Sequence, residues 1–377
     1  IQMKIAIYQP RVSYYIGGGE VIPLERAHFL SLRGHSVTLV TTRAPFIKES
    51  EYFKNFCVEN KDVRIVYIDV PKYLSWIYHM TPGTNWRRWH LESLRVGQLA
   101  FKYFLKHKFD LVAVHNVLDI ISLPGEQKSI MHLHGYPSYI DPIYEACLSL
   151  PDRLVAVSKY IKNQWQSKIK LSKCNLATNG VRSNYFRPNP NLVKKFDVLY
   201  IGRLVPIKGL NYLIEAIDKA CEQIPDLRIV IAGTGPEEAT LKALTRKLGL
   251  SNQIKFAGYV NSSELSDFYN SARMAVFPSY DREGILTTML EAAYCGVPII
   301  TTTACSMKEF LHHNKNGLLV QPKNSAHLAQ AILKLYHSEK LQRRLGMAAR
   351  KSVVNGWDWN KKIKILEKIY EQVLHNN

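Results

Sequence analysis

The chain is short of acid. Asp and Glu number 31 against 50 Lys and Arg, a formal net charge of +19 over 377 residues. Such a deficit favours anionic partners: nucleic acid, an anionic membrane face, or phosphorylated small molecules. No run of five Lys or Arg occurs, and no zinc-finger or RNA-binding motif does. That leaves a diffuse positive field, and no nucleic-acid partner is expected. The six cysteines (Cys57, Cys147, Cys174, Cys221, Cys295, Cys305) form no CxxC pair, which argues against a zinc site. Their mostly apolar surroundings suit free thiols in a reducing cytoplasm. No apolar run is long enough to span a bilayer, and no signal-peptide pattern is present. Met3 followed by KIAIYQP reads as a native start. The G-x-G-x-x-G dinucleotide fingerprint is missing too.

What is present suffices for two cores: 46% apolar residues in a chain of 43.2 kDa point to two domains. KIAIYQP (4–10) reads as a first strand, followed by Gly17-Gly18-Gly19-Glu20 and a helical pattern. Strand, glycine loop and helix together make a ligand-facing loop, because glycine lets backbone N–H groups approach an anion; a plain tight turn has the same pattern. Strands follow at 36–42, 64–70, 109–116, 128–135 and 153–159, alternating with helices, which implies a doubly wound parallel sheet. His115, His132 and His134 fall at carboxyl ends of strands, and alternation puts His132 and His134 on one side. They could in principle bind metal, but no carboxylate or cysteine completes a set, and no metal is expected. The stretch 71–95 mixes Tyr73, Trp76, Tyr78, Trp86 and Trp89 with Lys72, Arg87, Arg88 and Arg95. It suits a sugar-stacking or membrane-interface surface, or tryptophans packed onto their own domain. Ser158 is placed to cap the helix that follows. SNYFRPNPN has linker composition.

The second half repeats the grammar. FDVLYIG (196–202) is a strand, RLVPIKG a loop, and 210–224 an amphipathic helix. Arg203, Lys208 and the helix N-terminus converge into an anion site. Later, PSYDREGILTTMLEAAYCGVPII (278–300) holds Glu283 and Glu291, seven residues between them. Glu283 is expected in the loop leaving a parallel strand, and Glu291 inside the next helix, at the edge where open α/β sheets bind ligands. On spacing alone the two could be a glycosidase-type carboxylate pair. The tail at 357–374 is a basic amphipathic helix.

The series GGGE, HLHG, NGV, GRL with a following KG, GTGPEE and E-x7-E resembles glycosyltransferase family 4, of GT-B architecture, over nearly the whole chain. The resemblance implies two Rossmann-like domains: acceptor-binding at 3–182, a linker at 183–195, donor-binding at 196–355, and a C-terminal helix at 356–377 packing back toward the first domain. It implies retaining, metal-independent sugar transfer with no cofactor beyond the nucleotide-sugar donor. Arg203 and Lys208 resemble the pair that stabilises the leaving diphosphate. Glu283 resembles the glutamate on the transferred sugar, and Glu291 the one on the ribose, where a carboxylate accepts from both hydroxyls. Gly17 and Gly18 resemble the loop near diphosphate and acceptor. His134 resembles the histidine that meets the donor sugar, and His132 is second choice. Thr234, Gly235 and Glu237 fall near the nucleotide. Gly284, Ile285, Leu286 and Thr287 continue the donor loop, and Trp86, Trp89 and His132 are acceptor-side candidates.

The sequence departs from the family where many members read E-G-F-G. Ile285 replaces the aromatic and Leu286 the second glycine, which bears on the donor-pocket wall and on the backbone path. Arg273 stands where aspartate is common, and reads as a surface change. The expected activity is transfer from a UDP-sugar to a saccharide or lipid-linked saccharide, in polysaccharide or glycoconjugate biosynthesis. The expected place is the cytoplasm, with an anionic inner membrane face as candidate partner. A GT-B epimerase or phosphorylase, and a catalytically silent sugar-nucleotide or membrane-binding protein, are the alternatives.

Overall fold

The structure is a computed structural model that describes residues 2–15, 17–79, 85–136, 140, 142–168 and 174–375. It divides into two compact units, Ile1–Thr178 with Lys362–Asn377, and Asn179–Lys361. The first runs β1 (Lys4–Tyr8), α1 (Gly18–Leu32), β2 (Ser36–Arg43), α2 (Glu51–Glu59), β3 (Arg64–Asp69), α3 (Ser75–Tyr78), α4 (Asn85–Lys106), β4 (Leu111–Val114), β5 (Ser129–Leu133), α5 (Pro142–Ser149), β6 (Arg153–Ala156), α6 (Lys159–Lys168) and β7 (Cys174–Leu176). All seven strands are parallel, in the order β3-β2-β1-β4-β5-β6-β7. Helices on both faces explain why β4 and β5 are buried at every position and read as continuous apolar runs.

The second unit runs β8 (Phe196–Ile201), α7 (Leu210–Cys221), β9 (Ile229–Ala232), α8 (Glu238–Lys247), β10 (Ile254–Gly258), α9 (Ser262–Asn270), β11 (Ala272–Phe277), α10 (Thr287–Tyr294), β12 (Ile299–Thr302), β13 (Leu318–Val320), α11 (Ser325–Tyr336) and α12 (Glu339–Gly356). Its sheet is also parallel, in the order β10-β9-β8-β11-β12-β13. The final helix, α13 (Trp359–His375), belongs to the first unit from Lys362 onward. There Tyr370 is fully buried, and Glu367 pairs with Arg33 and His35.

Local chemistry sets several boundaries. The Ser158 hydroxyl accepts from the Ile161 amide at 3.1 Å and caps α6, as its position predicts. Asn261 is the N-cap of α9; its side chain bonds Glu264 instead of a backbone amide. The 183–195 stretch, polar enough to read as a linker, is held on the second unit. Phe186 enters its core, the Asn189 amide donates to Asn270 Oδ1 at 2.7 Å, and Lys194 reaches the Asn270 carbonyl at 2.7 Å. Asn270, buried in α9, supplies these bonds, and a composition argument cannot see it. Arg273, expected as a surface change, pairs with the buried carboxylate of Asp197 at 3.2 Å and lies over the Tyr336 ring. All six cysteines are free.

Candidate active site

In the second sheet the strand order reverses between β8 and β11. At such a switch point the loops leaving the two central strands part, and a crevice opens at their carboxyl ends. The β8 loop carries Arg203 and Lys208, and the β11 loop carries Glu283. Lys208 Nζ lies 3.0 Å from Glu283 Oε1, both side chains mostly buried. Tyr200, on β8, donates from its hydroxyl to the Arg203 carbonyl at 2.9 Å and fixes the turn. Burial raises the Tyr200 pKa; Glu283 raises it further and Arg203 lowers it, so both charges act on one ring.

Backbone constraints bring the two loops together. Gly209 has φ +69°, and a Cβ there would lie 2.4 Å from the Pro278 carbonyl oxygen. The Tyr280 amide donates to the Ile207 carbonyl at 3.0 Å. Only glycine permits that approach. Gly235 answers to packing in the same way: a Cβ there would lie 2.3 Å from the Leu204 carbonyl oxygen. The Leu204 amide donates to the Thr234 carbonyl, and the Glu237 amide to the Leu204 carbonyl. This ties the loop before α8 to the Arg203 loop.

Around Glu283 the backbone is strained. Arg282 and Cys305 are both left-handed, φ 54° and 55°, and such non-glycine residues each cost on the order of 1–3 kcal/mol. The Ser306 hydroxyl donates to the Glu283 carbonyl at 3.0 Å. Leu286, by contrast, is the N-cap of α10 at φ −69°, ψ 121°. That is ordinary extended backbone, so the position makes no demand for glycine. Ile285 and Leu286 both point into the core of the second unit. This corrects their expected place: their side chains line the core, and only their backbone, with Gly284 and Thr287, remains available to a donor. Glu291 lies in the second turn of α10 and accepts from the Tyr269 hydroxyl at 2.9 Å. Burial first, and then Glu291, raise the Tyr269 pKa, so Tyr269 stays a donor.

The first sheet reverses between β1 and β4. Gly17, at the end of the β1 loop, is the N-cap of α1, with Gly18 its first residue. Its φ of −161° is extended and open to any residue. At the ends of β4 and β5 three imidazoles stack, with His115 centred 4.6 Å from His132 and 5.1 Å from His134. His115 Nδ1 lies 2.9 Å from His134 Nε2. Burial, with Arg26 next, pushes the partly exposed His134 down to about 3, and burial drives His115 and His132 low as well. All three are neutral at pH 7. His132 is 1% exposed and bonds Tyr370 at 3.0 Å. That corrects its acceptor-side assignment, since the helix α13 covers it. Among the described residues no group of three His, Cys, Asp or Glu is arranged to hold a metal ion.

Trp89, half-buried, meets Tyr15 edge-on at 5.9 Å and lies under the Arg11 guanidinium at 5.7 Å, so it braces the β1 loop. The side chain of Trp86 lies outside the described residues. Behind Trp89, Arg11 joins Glu92 at 3.5 Å and Asp119 at 3.2 Å, all buried. Tyr14 and Tyr78 donate to Glu92 at 2.6 and 2.8 Å.

Comparison with known proteins fits this geometry. Residues 16–184 match the model for Glycosyltransferase Family 4, and residues 181–352 that for Glycosyl transferases group 1. The chain belongs to the family 4 glycosyltransferases of GT-B fold. An uncharacterized glycosyltransferase of Methanocaldococcus jannaschii is 28% identical over 98% of each chain. A GDP-mannose-dependent alpha-(1-6)-phosphatidylinositol monomannoside mannosyltransferase of Mycobacterium tuberculosis is 28% identical over 55% of this chain and 59% of its own. Among solved structures, a sucrose-phosphate synthase from Thermosynechococcus elongatus superposes with TM-score 0.83 at 19% identity, covering 99% of both chains. Anabaena HepE in complex with UDP-glucose superposes with TM-score 0.78 at 18% identity, covering 98% of this chain and all of that one.

In this glycosyltransferase, sequence reasoning missed four residues of the two crevices: Tyr200, Tyr269, Ser306 and His115 as the partner of His134. Tyr200 and Tyr269 fall in apolar-periodic segments and read as core. Only His115 carried a signal, a histidine at a strand's carboxyl end.

Proposed function

We propose that this glycosyltransferase moves a sugar, with retention of anomeric configuration and without a metal ion, from a nucleotide sugar to a saccharide or lipid-linked saccharide. We favour a UDP-sugar as donor and polysaccharide or glycoconjugate synthesis as the setting. One observation carries the reading: Lys208 pairs with Glu283 at the β8/β11 switch point, and Arg203, on the same loop as Lys208, shares with Glu283 an electrostatic influence on Tyr200. Two cations there compensate the charge that builds on a departing diphosphate, the task a divalent ion performs elsewhere. Glu291, oriented by Tyr269, would accept from ribose hydroxyls, and Glu283 from the sugar. The mannosyltransferase relative acts on a phosphatidylinositol monomannoside, which supports a lipid-linked acceptor and, with the net charge of +19, work at an anionic membrane surface. No helix among the described residues is long and apolar enough to cross a membrane.

The test is turnover with a panel of UDP-, GDP- and ADP-sugars, first ranked by thermal shift. Nucleoside diphosphate should appear only when acceptor is present, and EDTA should not slow it. The product anomer, read by NMR, should match the donor. Arg203→Ala and Lys208→Ala should each lower kcat about 100-fold or more, with an unchanged circular dichroism spectrum. Loss of activity with EDTA, or an inverted product, overturns the mechanism. A larger thermal shift with a GDP- or ADP-sugar overturns the donor.

A further inference from the structure

The aromatic-basic stretch 71–95 turns part of itself inward. Trp89 and Tyr78 are engaged inside the first unit. Exposed apolar surface continues further along, on α4. Leu94, Phe101 and Leu105 are 43%, 36% and 48% exposed. At about 100° per residue their spacing puts them within roughly 40° of one another, in one stripe along the helix. Arg95, Lys102 and Lys106, all exposed, form a second stripe beside it. The opposite side of α4 is locked into the core by Val96, Ala100 and Phe104, so this outer face is fixed in direction.

The neighbouring elements extend the pattern. Tyr73, 73% exposed, stands on the turn that leads into α3, and Trp76, 50% exposed, on α3, which contacts α4. Exposed Lys72 accompanies them. Within α3, α4 and the turn Lys72–Leu74 there is one carboxylate, Glu92, and it is buried against Arg11. The face therefore offers apolar and cationic groups and no exposed acid. A protein partner needs matched shape. A bilayer with anionic headgroups needs only this combination of inserted apolar side chains and flanking cations.

We propose that the outer face of α4, with Tyr73 and Trp76 beside it, is the surface by which this glycosyltransferase docks on an anionic lipid bilayer. The inference rests on the membrane part of the proposed function and assigns it a place. Leu94, Phe101, Leu105, Tyr73 and Trp76 enter the headgroup boundary. Lys72, Arg95, Lys102 and Lys106 meet lipid phosphates. None of these residues belongs to the candidate active site, so docking and chemistry are separable.

The experiment is flotation of the full chain with vesicles of phosphatidylcholine alone, or of phosphatidylcholine and phosphatidylglycerol in equal parts. Wild type should float with the mixed vesicles at low ionic strength, and lose them at high salt. Phe101→Glu with Leu105→Glu should cut the bound fraction about ten-fold, as should Lys102→Glu with Lys106→Glu. A milder pair, Phe101→Ser with Lys102→Gln, should weaken it in the same direction should either double variant fail to fold. Val58→Glu, on the exposed face of α2, should float as wild type does. Failure of wild type to float overturns the membrane reading and this inference together. Normal flotation of the α4 variants overturns the assigned face alone. A dimer in size-exclusion chromatography that the α4 variants break, without lipid dependence, makes a second copy the occupant and overturns the proposal.

Discussion

At the scale of single residues, the glutamates of the second unit depend on partners far away in sequence. The Tyr269 hydroxyl donates to one oxygen of Glu291 and orients its carboxylate. Tyr269→Phe should weaken donor binding about ten-fold or more, the net worth of a hydrogen bond to a charged group, while Glu291→Ala should abolish it. Calorimetric titration with the best donor checks both, and unaltered affinity in Glu291→Ala would remove it from the site. The histidines make a pH prediction. His115, His132 and His134 are neutral in the fold because burial holds their pKa values below the ordinary 6.5, His134 at about 3. The unfolded chain takes up protons near 6.5 that the native state refuses. Stability is therefore fully present above about pH 6.5 and is lost as pH falls from there toward 3. Thermal unfolding midpoints should decline across that window. His132→Gln should make the decline shallower by about one proton's worth of linkage. An identical slope would mean His132 is protonated in the native state.

At the scale of elements, the turn into α7 is the most constrained piece. Gly209 is left-handed and pressed on the Pro278 carbonyl, one residue after Lys208. Gly209→Ala should cost about 1–3 kcal/mol in denaturant-unfolding experiments. It should also lower kcat more than it raises KM, because it moves Lys208 away from Glu283. A neutral effect on both would show that the loop adapts. Element types were legible in the chain. Alternation and apolar runs placed the strands of both sheets, and Ser158 marked the start of α6. Leu286 was not legible, because a residue type does not reveal φ. In the structure it is an ordinary helix cap with its side chain in the core.

At the scale of the whole molecule, the first unit holds a buried ionic network of Arg11, Glu92 and Asp119. Burial works against the Arg11 charge, and Asp119 and Glu92 more than restore it, so its pKa rises. Removing one carboxylate strands part of a buried charge, at a cost of about 3–5 kcal/mol. Glu92→Ala should accordingly make residues 1–178 the first to be cut in limited proteolysis. Cleavage beginning instead within 179–361 would contradict that.

The sequence by itself determined the two parallel sheets and placed Arg203, Lys208, Glu283 and Glu291 at or just past the carboxyl ends of strands. Periodicity and turn chemistry are local, and they record which face and which end of a strand a residue occupies. They do not record neighbours. Only the tertiary structure set β8 beside β11, bringing Lys208 to Glu283 across 75 positions of chain. It alone joined Tyr269 to Glu291, hid His132 beneath Tyr370, turned Trp89 onto Tyr15, and left the outer stripe of α4 uncovered. Each of these depends on which elements pack together, and that is settled by the free energy of the whole fold.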